Sequence, residues 1–330
     1  MQFNEVAQHL NSEAKLVSNE IRIQDFFREA EIDYKQVAIL LICMLPPDKK
    51  IRLCIDRTEW DFGKTQVNIL MIIAGCEDFQ VPIYWEMLDN KSGNSSSKNR
   101  KDLLDLCLKV IDTSRIGYIV GDREFIGHDW LKYLKDKGIN FLMRLPKHHT
   151  IQYYDGQIRH IEDMGLSTET PMLIKNCLVD GIVGDVWVKK LKDDDFLFLF
   201  GTVNAEYMGQ LYKKRWSIES LFQGMKGRGF DLEKTHLQCT KKLKKLIAMV
   251  SIAYSACINL GVYYHKKVQK IQNKNHGYKG KSFLRKGIDL ARQYFRSEND
   301  MTNDIERMLL CLLRFIKIQI LDYQHIKIAG

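Results

Sequence analysis

Two short apolar runs, each followed by an aspartate and an arginine, decide the fold class of this chain. The first is Ile51-Arg52-Leu53-Cys54-Ile55-Asp56-Arg57 and the second is Gly117-Tyr118-Ile119-Val120-Gly121-Asp122-Arg123. Short apolar runs that stop at polar residues are typical of buried strands. The sequence around them alternates strand-like runs with segments of helical periodicity, at 67–75, 81–87, 100–111, 130–137 and 140–145. We therefore predict an α/β fold with a mixed sheet flanked by helices.

The remainder of the chain divides by the character of its residues. Residues 148–200 alternate short β-branched runs with Asp-Gly and Gly-Asp turns, which predicts a β-rich insertion. The predicted organisation is a helical segment at 1–50, an α/β core at 51–147 and 201–265, the insertion at 148–200, and C-terminal helices at 266–330.

One uncharged stretch tests whether the chain enters a membrane. Its eighteen residues, 247–264, are enough for a marginal membrane span. However, the stretch contains Ser251, Ser255 and Asn259, and no second stretch resembles it. We interpret it as a buried core helix.

Composition narrows the class of protein and of partner. Of the 330 residues 45% are hydrophobic and 28% charged, which is usual for a soluble globular protein and excludes disordered and fibrous classes. The 50 basic and 41 acidic residues give a net charge of +9, which favours a polyanionic partner, nucleic acid before a membrane surface. The eight cysteines include no Cys-x-x-Cys pair, as expected of reduced thiols in the cytoplasm.

The two aspartates predict a site at one edge of the sheet. Ligands of α/β proteins bind where strands end, so carboxylates on adjacent strands would meet there. Because like charges repel at short range, Asp56 and Asp122 together would favour a divalent cation, and oxygen ligands suit Mg²⁺ or Mn²⁺. The alternative is that both side chains cap strand ends or form ion pairs.

A third element adds the remaining polar groups. We predict one helix over 205–226, in which spacings of three, four and seven residues place four side chains on one face: Tyr212, Arg215, Glu219 and Lys226. Here Glu219 suits a metal, whereas the other three suit phosphate oxygens. Trp216 is expected to pack beneath the site.

These residues resemble a known family. Tyr212-x2-Arg215-x3-Glu219-x6-Lys226 matches the Tyr-Arg-Glu-Lys signature of a large group of bacterial insertion-sequence transposases. The segments 55–60, 121–127 and 226–236 are similar to that group as well, so the resemblance covers roughly residues 50–265. It implies an Asp-Asp-Glu triad on an RNase H-like fold, with a β-rich insertion between the second aspartate and the glutamate.

The resemblance also implies a role for each matching residue. Asp56, Asp122 and Glu219 would be the catalytic triad and would hold two Mg²⁺ ions, with Mn²⁺ as a substitute. Tyr212, Arg215 and Lys226 would contact phosphates of double-stranded DNA at the element ends. The implied enzyme cleaves DNA at those ends and transfers the strands into target DNA, as a homodimer in the DNA complex, at the nucleoid in the bacterial cytoplasm and without a membrane partner.

Further DNA contacts are expected outside the signature. In relatives a tryptophan of the insertion stacks on a flipped base, and Trp187 is the only tryptophan at 148–200; the alternative is a core side chain. A dense cationic cluster is expected to contact the DNA backbone, the alternative being a solvated helix face: Lys241, Lys242, Lys244 and Lys245. The apolar stretch 308–321 predicts a core helix or a dimer helix.

Two rival functions stay open at this point. A non-catalytic DNA-binding inhibitor of transposition is favoured by the short segment, about 50 residues, before the first catalytic strand, where relatives have a separate end-binding domain. The intact triad and Lys226 oppose it. An RNase H-like nuclease that cleaves without strand transfer is the second rival.

Overall fold

The fold is known from a computed structural model, which describes residues 3–10, 13–62, 65–88, 93–160, 170–191, 195–232, 235, 237, 239–275 and 279–296. The predicted helix at 308–321 lies outside these residues. The helices are α1 (Phe3–Ala7), α2 (Leu16–Glu29), α3 (Tyr34–Cys43), α4 (Ser97–Leu108), α5 (His128–Asp136), α6 (Met208–Lys213), α7 (Trp216–Gln223), α8 (Thr240–Tyr263) and α9 (Phe283–Arg296). The strands are β1 (Ile51–Phe62), β2 (Thr65–Cys76), β3 (Phe79–Leu88), β4 (Ile116–Gly121), β5 (Phe141–Arg144), β6 (Thr150–Gln152), β7 (Ile158–His160), β8 (Met172–Val179), β9 (Ile182–Lys190) and β10 (Phe196–Gly201).

The ten strands of the described residues belong to one sheet, in the order β3-β2-β1-β4-β5-β10-β9-β8-β6-β7. Strand β1 is parallel to β4 and β4 is parallel to β5, while the other neighbours are antiparallel. The predicted mixed α/β fold is thus confirmed. The strands at 148–200 are continuous with the rest of the sheet, because Leu199 of β10 pairs with Arg144 of β5.

Strand β1 is longer than the sequence suggested. The predicted end at Asp56 is wrong, since β1 continues to Phe62 and pairs with β2 along this whole length. The apolar run stops at Asp56, but Thr58 and Trp60 are buried, whereas Arg57 and Glu59 are partly exposed. This period of two is that of a half-buried strand, and a search for continuous apolar runs misses it.

The early end of β4 opens a crevice beside β1. Cys54 pairs with Val120, and β4 stops one residue later at Gly121. Beyond that point β1 keeps only its antiparallel neighbour β2. The backbone of β1 therefore borders an open crevice from about Asp56 onward, on the side where α7 lies.

Helix α8 is the central helix of the C-terminal half. Its apolar length would suffice to cross a membrane, but 72% of its most apolar window is buried inside the fold. It packs on β3, where the Gln80 side-chain amide donates to the Tyr254 hydroxyl (3.0 Å). A Cβ at Gly287 of α9 would lie 1.8 Å from the Cys257 carbonyl oxygen, so α8 and α9 approach closely there. The interpretation of 247–264 as a core helix is confirmed.

Candidate active site

The two aspartates lie next to each other at the crevice. Because Cys54 pairs with Val120, the residues two positions further along are Asp56 on β1 and Asp122 directly after β4. The Asp56 side chain is only 18% exposed, and the Arg57 backbone N–H donates to its Oδ1 (2.8 Å). The sheet thus brings the two carboxylates together, as expected for neighbouring parallel strands.

An arginine occupies the space between two of the predicted triad carboxylates. The Arg215 guanidinium lies 3.1 Å from Asp56 Oδ2 through Nη1 and 2.5 Å from Glu219 Oε1 through Nη2. Its side chain is only 10% exposed. Charge-assisted bonds of this kind are strong, and here they join the helical segment to strand β1.

The polypeptide that carries the signature is not one helix. The prediction of a continuous helix over 205–226 is wrong, because α6 ends at Lys213 and α7 begins at Trp216, with Arg215 in the turn between them. The Arg215 N–H donates to the Tyr212 carbonyl (2.9 Å), an i to i+3 bond that tightens the chain. A π-helical turn at Gly224–Arg228 then follows α7.

The turn redirects the two outer signature residues. Tyr212 is buried, its ring lies 5.5 Å from the Arg215 guanidinium, and its hydroxyl donates to Asp122 Oδ1 (3.4 Å). The Lys226 ammonium donates to the Glu59 carbonyl (2.7 Å) on the second half of β1. Tyr212 and Arg215 therefore contact the aspartates, and Arg215 holds Glu219 beside Asp56. Lys226 binds strand β1 at Glu59, three residues beyond Asp56.

Burial governs the electrostatics of the site. Burial raises the pKa of Asp56 to about 6, with smaller increases from Asp122 and Glu124, although the Arg57 N–H and Arg215 act in the opposite direction. Burial also raises the pKa of Tyr212 to about 12, so the phenol stays protonated and its O–H donates a hydrogen bond to Asp122. The crevice thus holds carboxylate charge that is poorly solvated and in need of cations.

A second ion-pair network fixes the aspartates relative to each other. Arg57, the residue after Asp56, binds Glu124, two residues after Asp122, at 3.1 Å. The same guanidinium donates to Asn68 Oδ1 (3.2 Å), and Glu124 accepts from the Ser95 hydroxyl (2.6 Å). Sequence reasoning gave Arg57 and Glu124 no role. The only sequence signal for this network was the Asp-Arg dipeptide that follows both apolar runs.

Two tryptophans are placed contrary to expectation. Trp216, predicted to pack beneath the site, is 64% exposed. Trp187, predicted to stack on a DNA base, is 7% exposed on β9, and a Cβ at Gly209 would lie 2.7 Å from its indole. Trp187 thus lies in the core against α6 in the DNA-free protein, which is the alternative considered above.

The cationic cluster at the start of α8 is divided between two environments. Lys244 binds Glu86 Oε2 (2.7 Å) on β3, and Lys245 donates to the Phe27 carbonyl (3.0 Å) of α2. These two partly exposed lysines attach α8 to its neighbours. Lys241 is exposed and Lys242 is partly exposed.

The donor set suits a hard divalent cation, but the present arrangement holds a guanidinium. Carboxylate oxygens are the ligands that Mg²⁺ and Mn²⁺ prefer, and burial leaves Asp56 short of compensating charge. Among the described residues no three histidine, cysteine or acidic side chains converge closely enough to hold a metal ion. The reason is geometric, because Arg215 separates Glu219 from Asp56.

The Arg57–Glu124 pair should contribute measurably to stability. Its side chains are 17% and 14% exposed, and Glu124→Gln removes one of the two carboxylates that bind the Arg57 guanidinium, the other being that of Glu59 (2.6 Å). We expect the free energy of unfolding to fall by roughly 1–3 kcal/mol. Asp136→Asn, which breaks the exposed pair with Lys132 (2.8 Å), is the matched control and should cost less than about 0.5 kcal/mol. Equal effects in urea unfolding would contradict a positioning role for Glu124.

The raised pKa of Asp56 predicts a pH-dependent stability difference. In the fold Asp56 binds its proton more tightly than in the unfolded chain, so its contribution is full below about pH 4 and is lost as pH rises through 6. Asp56→Asn should therefore gain stability relative to the wild type between pH 4.5 and 7.5, by roughly 2 kcal/mol. Thermal unfolding in chelator-treated buffer measures it, and a difference independent of pH would refute the assignment.

Comparison with known proteins places the chain in a family. The chain matches no curated protein. Among solved structures, the crystal structure of Endonuclease V from Bacillus subtilis has a TM-score of 0.28 and 10% identity, over 78% of this chain and 97% of that chain, which is too distant a similarity to carry an argument. The family model described as Transposase DDE domain matches residues 47–256, nearly two thirds of the chain. Together with the acidic crevice, this match shows that the chain belongs to the family of transposases with a DDE domain.

Proposed function

We propose that this chain is a DNA transposase of the Tyr-Arg-Glu-Lys group, which cleaves DNA strands at element ends and transfers them into target DNA. The observation that carries the proposal is that Arg215 bridges Asp56 and Glu219 while Tyr212 donates to Asp122, which brings the three carboxylates to one crevice. Separate segments of the chain supply the three carboxylates, and the matched family region 47–256 contains them all.

An RNase H-like core is part of the proposal. Its support is the half of the sheet with order β3-β2-β1-β4-β5, in which the central strand and its parallel neighbour bear the two aspartates. Helix α7 brings the third carboxylate to the same edge. The strands from β6 to β10 lie between the second aspartate and the glutamate in sequence, which is where the family places its β-rich insertion.

Asp56, Asp122 and Glu219 would hold the divalent ions. When bound, two Mg²⁺ ions supply activation of the attacking water or 3′-hydroxyl and stabilisation of the leaving oxygen in an in-line displacement. The residues of this chain orient the DNA and the carboxylates. Tyr212, neutral at pH 7, keeps Asp122 oriented through its hydroxyl. Arg57 and Glu124 fix the spacing of the two aspartates.

Arg215 is proposed to have two successive partners. In the protein alone its guanidinium neutralises Asp56 and Glu219. A DNA phosphate matches the same fork of donors, so its arrival can draw the guanidinium away from the carboxylates. The oxygens of Asp56 and Glu219 would then be available as ligands. On this proposal DNA binding precedes metal binding.

The partners and setting follow from the same proposal. The substrate is double-stranded DNA, both as element end and as target, and the chain acts as a homodimer in the DNA complex. Its proposed location is the bacterial nucleoid. Lys226, on the far side of the aspartates along β1, and the exposed Lys241 and Lys242 are proposed contacts with the DNA backbone.

The direct experiment follows a labelled element end through nicking, double-strand cleavage and joining. Asp56→Asn, Asp122→Asn and Glu219→Gln should each reduce cleavage in Mg²⁺ by at least about a hundredfold, because each removes a charged oxygen ligand. DNA binding in gel-shift assays should persist, and the matched control Asp136→Asn should cleave normally. A triad variant that cleaves like the wild type removes that residue from the triad. A wild type that nicks but never joins in Mg²⁺ or Mn²⁺ is a nuclease instead.

The exchange of partners by Arg215 has a readout independent of activity. Without DNA, Arg215→Gln should bind Mn²⁺ about tenfold more tightly than the wild type, because a competing cation is gone; this corresponds to about 1.4 kcal/mol. Duplex DNA should increase the Mn²⁺ affinity of the wild type more than that of the variant. Isothermal titration or electron paramagnetic resonance measures both affinities, and Arg215→Lys, which keeps the charge, is the control. Equal Mn²⁺ affinities in the two DNA-free proteins would overturn the exchange.

A further inference from the structure

The net positive charge of this chain arises in one stretch without acidic residues. From Lys234 to Ile288, 55 residues contain 13 lysines and arginines and no aspartate or glutamate. The other 275 residues contain 37 basic and 41 acidic residues and are therefore slightly acidic. The polyanion attraction expected from the net charge of +9 thus belongs to one part of the chain.

The second half of this stretch forms an open groove of about 400 Å³ between the end of α8 and the start of α9. Its polar lining consists of Tyr264, Gln269, Lys270, Gln272, Lys281 and Lys286. The Tyr264 hydroxyl donates to Gln269 Oε1 (2.9 Å), and the Lys286 ammonium lies 3.8 Å from the centroid of the Tyr264 ring. The aromatic ring thus holds one of the cations at the groove.

Ion pairs leave part of this charge uncompensated. Lys281 binds Asp289 Oδ2 (2.8 Å), and outside the groove Lys266 approaches Asp78 (3.7 Å). Within the part of the chain that the structure describes, no carboxylate lies within 4 Å of Lys270 or Lys286. The groove therefore presents ammonium groups beside amide donors, with no acidic group in its lining.

We propose that this groove, which we call the α8–α9 groove, binds the phosphodiester backbone of duplex DNA. Ammonium and amide donors without base-reading geometry suit phosphates irrespective of sequence. A membrane surface fits less well, because 72% of the most apolar window of the helix beside the groove is buried inside the fold. The proposal rests on the transposase function proposed above and adds a second DNA contact to it.

The groove is separate from the catalytic crevice but packed onto its signature segment. Lys266 reaches the turn after β2, and Gly75 near that turn pairs with Arg52, four residues before Asp56. The four residues from Arg52 to Asp56 span about 13 Å along the strand, about four base pairs of duplex. Leu284 of α9 would contact a Cβ at Gly224 at 2.8 Å, so α9 lies directly against the turn that bears Lys226.

The test compares salt-dependent DNA binding by the full chain and a double variant, Lys270→Gln with Lys286→Gln. Affinity for a 30-base-pair duplex is measured by fluorescence anisotropy at several salt concentrations. Loss of two phosphate contacts should reduce the slope of log affinity against log salt by about two and weaken binding about tenfold per contact near 0.1 M salt. The charge-preserving pair, Lys270→Arg with Lys286→Arg, should restore both.

A second double variant controls for net charge alone. Lys98→Gln with Lys132→Gln removes two exposed lysines from α4 and α5 and should leave the slope unchanged. An unchanged slope in the Lys270 and Lys286 variant, with salt-dependent binding by the wild type, overturns the groove and leaves the transposase proposal intact. A wild type that does not bind duplex DNA overturns both proposals.

Two further outcomes are decided by the same proteins. If the double variant loses binding to phosphatidylserine vesicles but not to DNA, the groove is a membrane contact and the proposal is wrong. If the double variant does not fold, as judged by thermal unfolding, Lys270→Gln alone decides the question, because that side chain is exposed and outside the core. It should reduce the slope by about one, and no reduction overturns the proposal.

Discussion

The folded site depends on the guanidinium of Arg215, which lies between two of its carboxylates. Asp56 and Glu219 come from a central strand and a short helix, and both side chains are partly withdrawn from water. Without a cation between them, the buried carboxylates would repel each other and favour protonation or separation. Arg215 supplies that cation from the same segment as Glu219, four residues away, so the site carries its own counter-charge wherever α7 docks. The break between α6 and α7 is what aims Arg215 inward.

The sheet provides the second constraint, because it sets the distance between the aspartates. Asp56 and Asp122 occupy matching positions at the ends of the β1–β4 parallel pairing. Just beyond them the Arg57–Glu124 ion pair links the two chain segments. Strand β1 then continues without its parallel neighbour, which leaves space for α7 and for the π-helical turn. Each functional side chain is therefore placed by backbone pairing or by an ion pair within the fold.

The sequence predicted the chemistry of the site better than its geometry. Asp56 and Asp122 were singled out by their position after apolar strands and Glu219 by its helical spacing, because both are local patterns, and the structure brings these residues to one crevice. The end of β1 was misjudged, since Thr58 and Trp60 are buried in alternation and the apolar run had already stopped. The break beside Arg215 depends on docking against β1, which no local pattern reports.

The same limit explains the side chains that were misplaced. Trp216, expected to be covered, is exposed, and Trp187 lies in the core, because which face of an element is covered depends on neighbours distant in sequence. The sequence suggests DNA as the partner of Lys244 and Lys245, whereas within the fold Lys244 binds Glu86 and Lys245 binds the Phe27 carbonyl. Charge is visible in a sequence, whereas the group that compensates it is not.

The pairing of β10 with β5 has a consequence for how this protein can change. Phe141 and Met143 are fully buried, and among the described strands β10 is the neighbour of β5 on the side away from β4. Deletion of the segment between β5 and α6 would turn β5 into an unprotected apolar edge strand, the kind of surface that recruits strands from other chains. The β-rich segment can vary in its outer strands, but its last strand also protects the core from aggregation.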